Sequence, residues 1–110
     1  DKALEFKPDF EESWTNRGNA LYHLGQIDAA IESYDRALAL RPDAATVWYN
    51  KACCYAAQGN LDLAFDHLRR AIELSPEEYR EIAKTSSDFA ELRRDQRFLS
   101  LLATRAPRET

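Results

Sequence analysis

The stretch LGQIDAAIESYDRALALRPD, residues 24–43, returns thirty-four residues later as QGNLDLAFDHLRRAIELSPE, residues 58–77. Gly25, Asp28, Ala30, Arg36, Ala37, Leu40 and Pro42 come back as Gly59, Asp62, Ala64, Arg70, Ala71, Leu74 and Pro76, while most residues between them change. Each copy opens on a glycine that accepts positive φ and so ends a helix. An aspartate placed to cap a new helix follows, then apolar residues at helical spacing, and a proline closes the copy. Ala30 and Ala37, seven apart, lie two turns along one face, so a neighbouring backbone can approach there; Ala64 and Ala71 repeat the arrangement.

Upstream of each glycine a further helix is expected. Trp14, Ala20, Leu21 and Leu24 recur at helical spacing over roughly Phe10 to Leu24, and Trp48, Ala52, Cys54 and Tyr55 do so before Gly59. The partner helices carry Ala30, Ile31, Tyr34, Ala37, Leu38 and Leu40, then Leu63, Ala64, Leu68, Ala71, Ile72 and Leu74. The unit is a helical hairpin, present twice. The recurrence of Trp14 and Trp48 with the repeat marks them as packing residues rather than platforms for a ligand.

The bulk composition agrees. One hundred and ten residues, 45% hydrophobic and 31% charged with three Gly and four Pro, fit one small helix-rich domain. A formal net charge of −4 argues against nucleic acid, whose affinity rests on clustered Lys and Arg. No apolar run approaches the length of a membrane span, and no N-terminal stretch has the order of a signal peptide. Cys53 and Cys54 are adjacent, a spacing a helix cannot bridge, so they read as reduced thiols of a cytoplasmic protein. With His23 and His67 standing alone, no metal site and no cofactor is expected.

A 34-residue period with Trp, Gly or Ala, Tyr or Leu, Ala and Pro at these offsets resembles the tetratricopeptide repeat family. Trp14, Gly18, Ala30, Tyr34, Ala37 and Pro42 fall on its signature positions in one repeat, residues 11–44. Trp48, Ala52, Tyr55, Ala64, Leu68, Ala71 and Pro76 do so in the next, residues 45–78. Arg17 and Lys51 depart from it, standing where the family usually has Leu. The resemblance implies an all-α fold of antiparallel helix-turn-helix repeats stacked into a right-handed superhelix.

The register extends to both ends. Ala3, Leu4, Pro8 and Asp9 precede Ala37, Leu38, Pro42 and Asp43 by 34, so residues 1–10 are expected to be the tail of a preceding repeat's second helix, and the chain a piece of a longer array. An incomplete third repeat with capping helices is expected over 79–105, and a tail over 106–110. Ser87 or Asp88 is placed to cap one short helix and Asp95 a last one. Asp88, Phe89, Leu92, Arg93, Asp95, Arg97 and Phe98 resemble an end segment of some bacterial repeats of this kind, with Gln96 where Pro is expected. Its task would be to cover the apolar face that the last full repeat exposes.

For function the resemblance implies a concave groove, lined by the first helix of each repeat, that holds a partner peptide or helix. Thr15, Asn16, Asn19, Tyr22 and His23 would line it from one repeat, and Tyr49, Asn50 and Cys53 from the next, beside Glu12, Thr46, Ala56 and Ala57. A side-chain amide such as Asn16 or Asn50 can donate to and accept from a peptide backbone at once. A subset of the family holds a C-terminal carboxylate in a clamp; the corresponding residues are Thr15, Asn19, Asn50, Arg80 and Lys84, with the first Lys missing and the two cations exchanged. Arg80 and Lys84, four apart on one helix face, can reach the same anion. His23 has no catalytic partner in the sequence, Cys53 has no activating cation in its turn, and Glu11 and Glu12 suit a first helical turn, so an enzyme is not expected. Self-association through the exposed N-terminal face is the alternative class.

Overall fold

The computed structural model describes residues 10–103; the expectations for residues 1–9 and 106–110 fall outside them. Six α-helices follow in order: α1 Phe10–His23, α2 Ile27–Leu40, α3 Ala45–Ala57, α4 Leu61–Leu74, α5 Pro76–Thr85 and α6 Gln96–Ala103. Two 3₁₀ turns, Ser87–Phe89 and Leu92–Arg94, connect α5 to α6. α1 pairs with α2 and α3 with α4, the two hairpins stack through α2 and α3, and α5 packs on α4. This is the all-α repeat stack expected from the sequence.

The glycines end their helices as expected. Gly25 and Gly59 adopt φ of 83° and 78°. Beyond them Gln26 N–H donates to Leu21 O at 2.9 Å and Asn60 N–H to Tyr55 O at 2.9 Å, which satisfies carbonyls the helix end leaves free. Three local expectations need correction. The second helix of each hairpin starts two residues earlier than the aspartates suggest: Gln26 is the N-cap of α2 without a side-chain bond, and Asn60 caps α4 by accepting from Leu63 N–H. Asp28 and Asp62 lie inside the first turn, where a carboxylate still favours the helix dipole. They make tertiary contacts instead, Asp28 accepting from Gln58 Nε2 at 2.7 Å and Asp62 from Arg97 Nη2 at 2.8 Å. Pro76 does not close α4, which ends at Leu74; it is the first residue of α5, where a missing N–H costs nothing. Ser86, not Ser87 or Asp88, caps the first 3₁₀ turn. Asp95 does cap α6, accepting from Arg97 N–H at 2.8 Å.

Leu40 and Leu63, expected on the apolar faces, are exposed at 50% and 36%. The residues that do pack form two clusters. Ala30, Tyr34, Ala37, Val47 and Cys54 fill the junction between the hairpins. Ala52, Leu68, Ala71, Ile72, Tyr79, Ala83, Phe89, Leu92 and Phe98 form a second core that runs into the C-terminal segment. Arg17 and Lys51 separate sharply: Arg17 is exposed, whereas Lys51 is 8% exposed with its Nζ 2.6 Å from Asp35 Oδ1.

The close approach inside each hairpin explains one substitution between the repeats. A Cβ placed on Gly18 would lie 2.5 Å from Tyr34 Cε1 and 2.9 Å from its Cζ, so the large ring of α2 occupies space that α1 gives up. In the second hairpin Ala52 stands where Gly18 stood and Leu68 where Tyr34 stood, and both are fully buried. A smaller side chain on one helix goes with a larger one on the other. Gly18→Ala should therefore destabilise the chain by about 1–3 kcal/mol through overpacking, even though Ala is the better helix former by about 1 kcal/mol. Adding Tyr34→Leu should recover most of the loss, as read by urea unfolding. A single Gly18→Ala variant more stable than the parent would overturn this account.

Candidate functional site

The first helices of the hairpins, α1 and α3, bring their side chains together on one side of the stack, joined there by the residues after α5. The network starts in the core. Because Gly18 lets the Tyr34 ring pass against α1, the Tyr34 hydroxyl reaches Asn19 Oδ1 and donates to it. The same oxygen accepts from Asn50 Nδ2 at 3.1 Å. Asn19 and Asn50, one on each first helix, are thereby held in fixed orientations. Asn19 Nδ2 and Asn50 Oδ1 keep no partner among the described residues, and neither is a buried orphan, so one donor and one acceptor remain open to solvent side by side.

Around this pair the expected groove residues differ in state. Asn16 and His23 are exposed, and the His23 ring lies edge-on to Tyr22 with centroids 5.8 Å apart. Thr15 is turned back on its own helix, its hydroxyl bonded to Glu11 O at 2.9 Å and Glu11 Oε2 at 3.1 Å. Thr46 Oγ1 shares a hydrogen bond of 2.8 Å with the Tyr79 hydroxyl, linking α3 to α5.

Tyr22, Tyr49 and Cys53 meet the chain's own C-terminal segment. The Tyr49 hydroxyl donates to Ser86 Oγ at 3.5 Å and the Tyr22 hydroxyl to Asp88 Oδ1 at 3.4 Å, so the turn after α5 crosses from α3 toward α1. Phe89 follows, fully buried, with its ring edge-on to Tyr49 at 5.7 Å and 6.4 Å from Phe98. Arg93 fixes the crossing by donating to Ala83 O at 3.1 Å and Ser86 O at 2.8 Å, the carbonyls at the end of α5. Cys53, expected as an inert lining residue of an open groove, is only 6% exposed beneath this segment.

Burial first, and then the Asp88 carboxylate, push the Tyr22 hydroxyl up to about 12 and the Cys53 thiol well above its ordinary range. Burial pushes the Cys54 thiol up to about 11. Burial thus favours the neutral thiol at both cysteines, the weakly nucleophilic form. Arg80 and Lys84 stand on α5. Arg80 Nε is buried without a hydrogen-bond partner among the described residues, whereas Lys84 is exposed and pairs with Glu81 at 3.2 Å.

A family model described as tetratricopeptide repeat matches residues 15–79, more than half of the chain. The chain belongs to the tetratricopeptide repeat family. Over 34 residues it is also 44% identical to the heat shock protein sti1 homolog of the fission yeast Schizosaccharomyces pombe, a match that takes in 31% of this chain and 6% of that protein. Tetratricopeptide repeats are a non-catalytic protein-interaction fold, and the chain's role is that of a protein-interaction module. No helix among the described residues is long and apolar enough to cross a membrane.

Sequence reasoning singled out Asn19 and Asn50 but missed what couples them, since Tyr34 read as a core residue only. The signal was present in the pairing of Gly18 with Tyr34 against Ala52 with Leu68. It also missed Ser86 and Asp88, because a segment that departs from the repeat carries no register to place it. One measurement checks the covered part of the site. At pH 8 a disulfide reagent should titrate Cys53 and Cys54 slowly in the folded tetratricopeptide repeat chain and at once in denaturant. Rapid labelling of either thiol in the folded state would contradict the coverage described.

Proposed function

We propose that the chain binds a segment of a partner protein, peptide or helix, on the face where α1, α3 and α5 adjoin, with Asn19 and Asn50 as its fixed polar contacts. The observation that carries this reading is the oriented amide pair. An open amide NH₂ on Asn19 and an open carbonyl acceptor on Asn50 match the acceptor and donor of an extended backbone. Exposed Asn16 and His23 extend the surface along α1. Tyr22, Tyr49 and Cys53 contribute its floor and its limit, because the crossing of Ser86 and Asp88 shortens the groove on their side. Peptides selected by display on the chain should lose about tenfold in affinity, about 1.4 kcal/mol, in an Asn50→Ala variant that keeps its unfolding temperature. Unchanged affinity would sink the assignment of this face.

A second reading rests on Arg80. A guanidinium whose Nε is buried and without a partner among the described residues, one turn before Lys84, favours an anion such as an acidic C-terminus. Asn19 and Asn50 belong to the corresponding set, while Thr15 stands where its first Lys is missing and bonds back to Glu11. The name of the fission yeast relative, a heat shock protein, is compatible with a partner from the chaperone machinery. Calorimetry with peptides ending in acidic residues should show binding that disappears when the terminus is amidated. Equal binding of the amidated form removes this reading and leaves the amide contacts standing.

A further inference from the structure

Where the turn after α5 reaches α1 it sets a carboxylate on the face that α1, α3 and α5 share. Asp88 is exposed there, with its Oδ1 accepting from the Tyr22 hydroxyl at 3.4 Å and its Oδ2 from Ser86 Oγ at 3.3 Å. Ser86 Oγ accepts in turn from the Asp88 N–H at 3.2 Å and from the Tyr49 hydroxyl at 3.5 Å, so the position of the carboxylate is tied to both first helices. No cation comes with it. Lys84 pairs with Glu81 at 3.2 Å, Arg93 is committed to the carbonyls of Ala83 and Ser86, and among the described residues none lies within ion-pair distance of Asp88.

Two hydroxyls leave a carboxylate short of partners. When ionised it offers about four lone-pair sites, and both hydroxyl contacts are long for O–H···O bonds. Its charge nevertheless acts on the face, since after burial it is the next cause that pushes the Tyr22 hydroxyl up to about 12. A guanidinium or ammonium arriving from outside the chain would form shorter, charge-assisted bonds to the open lone pairs. The surface beside the carboxylate suits such a side chain. The Tyr22 ring, with the exposed His23 ring edge-on to it at 5.8 Å, offers an aromatic wall for the aliphatic stem and the charged head.

We infer that Asp88 sets the specificity of the face: the partner segment held by Asn19 and Asn50 carries a Lys or Arg that pairs with the Asp88 carboxylate and lies along the Tyr22 ring. This rests on the reading of the face given above and adds the chemistry of the residue that it takes. Asn19 and Tyr22 are three apart on α1, about one turn or 5 Å along the helix, so the basic residue follows the backbone contact at Asn19 by only a few positions.

Selection from a random peptide library displayed on phage tests this, run in parallel on the full chain as it stands, on Asp88→Asn and on Asp88→Lys. Asparagine keeps an acceptor for Tyr22 and Ser86 and removes only the charge, so it tests the pairing even if the lysine variant is unstable. Peptides selected on the parent should share a Lys or Arg at one position and bind Asp88→Asn about fivefold more weakly, the upper range for an exposed ion pair. Replacing that residue by Gln in the peptide should cost the same on the parent and nothing on Asp88→Asn, and selection on Asp88→Lys should turn the position acidic. Parent-selected peptides with no basic position, or with one whose replacement costs as much on Asp88→Asn as on the parent, overturn the proposal; if they still weaken in Asn50→Ala, the reading of the face survives it. Peptides indifferent to both Asn50 and Asp88, or no peptides at all, overturn that reading and the proposal together.

Discussion

Each hairpin closes because one helix gives up a side chain where its partner brings a large one. Gly18 faces the Tyr34 ring with no room for a Cβ, and Ala52 and Leu68, at the equivalent positions, are both fully buried in one core. With interiors packed to crystal-like density, such a contact sets the separation and roll of the two helices together. The junction between hairpins inherits both, since Ala30, Tyr34 and Ala37 are also the residues that receive Val47 and Cys54. The choice between the two packing solutions then reaches the surface. Where the pair is Gly18 and Tyr34, a phenol hydroxyl arrives at Asn19 and a polar face results. Where it is Ala52 and Leu68, no hydroxyl arrives, and the residue in the place of Asn19 is Cys53, buried among apolar neighbours. One contact thus divides the face into a wet half and a dry half.

The dry half determines where the C-terminal segment goes. A buried thiol flanked by Tyr49 cannot face water without cost, and Phe89 covers it while joining Leu92 and Phe98 in the same core. The segment is anchored at both ends by arginines of different function. Arg93 satisfies the carbonyls at the end of α5. Arg97 bridges Asp95 and Asp62 and lies 4.8 Å from the Phe65 ring centroid, tying α6 to the start of α4. Arg97 and Asp62 are exposed and Asp95 is partly so, so the bridge orients α6 more than it holds it. The burial of Phe89 and Phe98 supplies the larger stabilisation.

What was legible in the sequence follows from what repeats. Glycines at positive φ, alanines at the close approaches and the prolines at the junctions recur because backbone geometry recurs, and they gave the fold. The helix starts were misread at Asp28 and Asp62, because an aspartate is as suitable two residues inside a helix as at its cap, and Asn60 was available to cap. The fate of Lys51 was invisible for a similar reason. A charge on an apolar face is buried only if a partner is waiting, and the partner, Asp35, belongs to the preceding helix. The amides of the candidate site were found by register, while their orientation depends on a core tyrosine fifteen residues away. The crossing of Ser86 and Asp88 lay beyond the reach of register altogether.

The two ends of the stack are therefore solved by different physics. At the C-terminal end the repeat pattern is abandoned, and irregular backbone with large aromatic residues closes a core that a third regular hairpin would otherwise have covered. Opening that closure would expose Phe89, Leu92 and Phe98 together. At the N-terminal end the pattern is kept: α1 presents the same stripe that α3 buries, but with Ser13 for Val47 and Arg17 for Lys51. Serine lowers the cost of leaving the stripe wet, and arginine keeps a hydrated charge there. A face of that composition tolerates water, whereas Val47 and Cys54 on the equivalent face are buried. The distinction between a junction and an open face is written in those two positions.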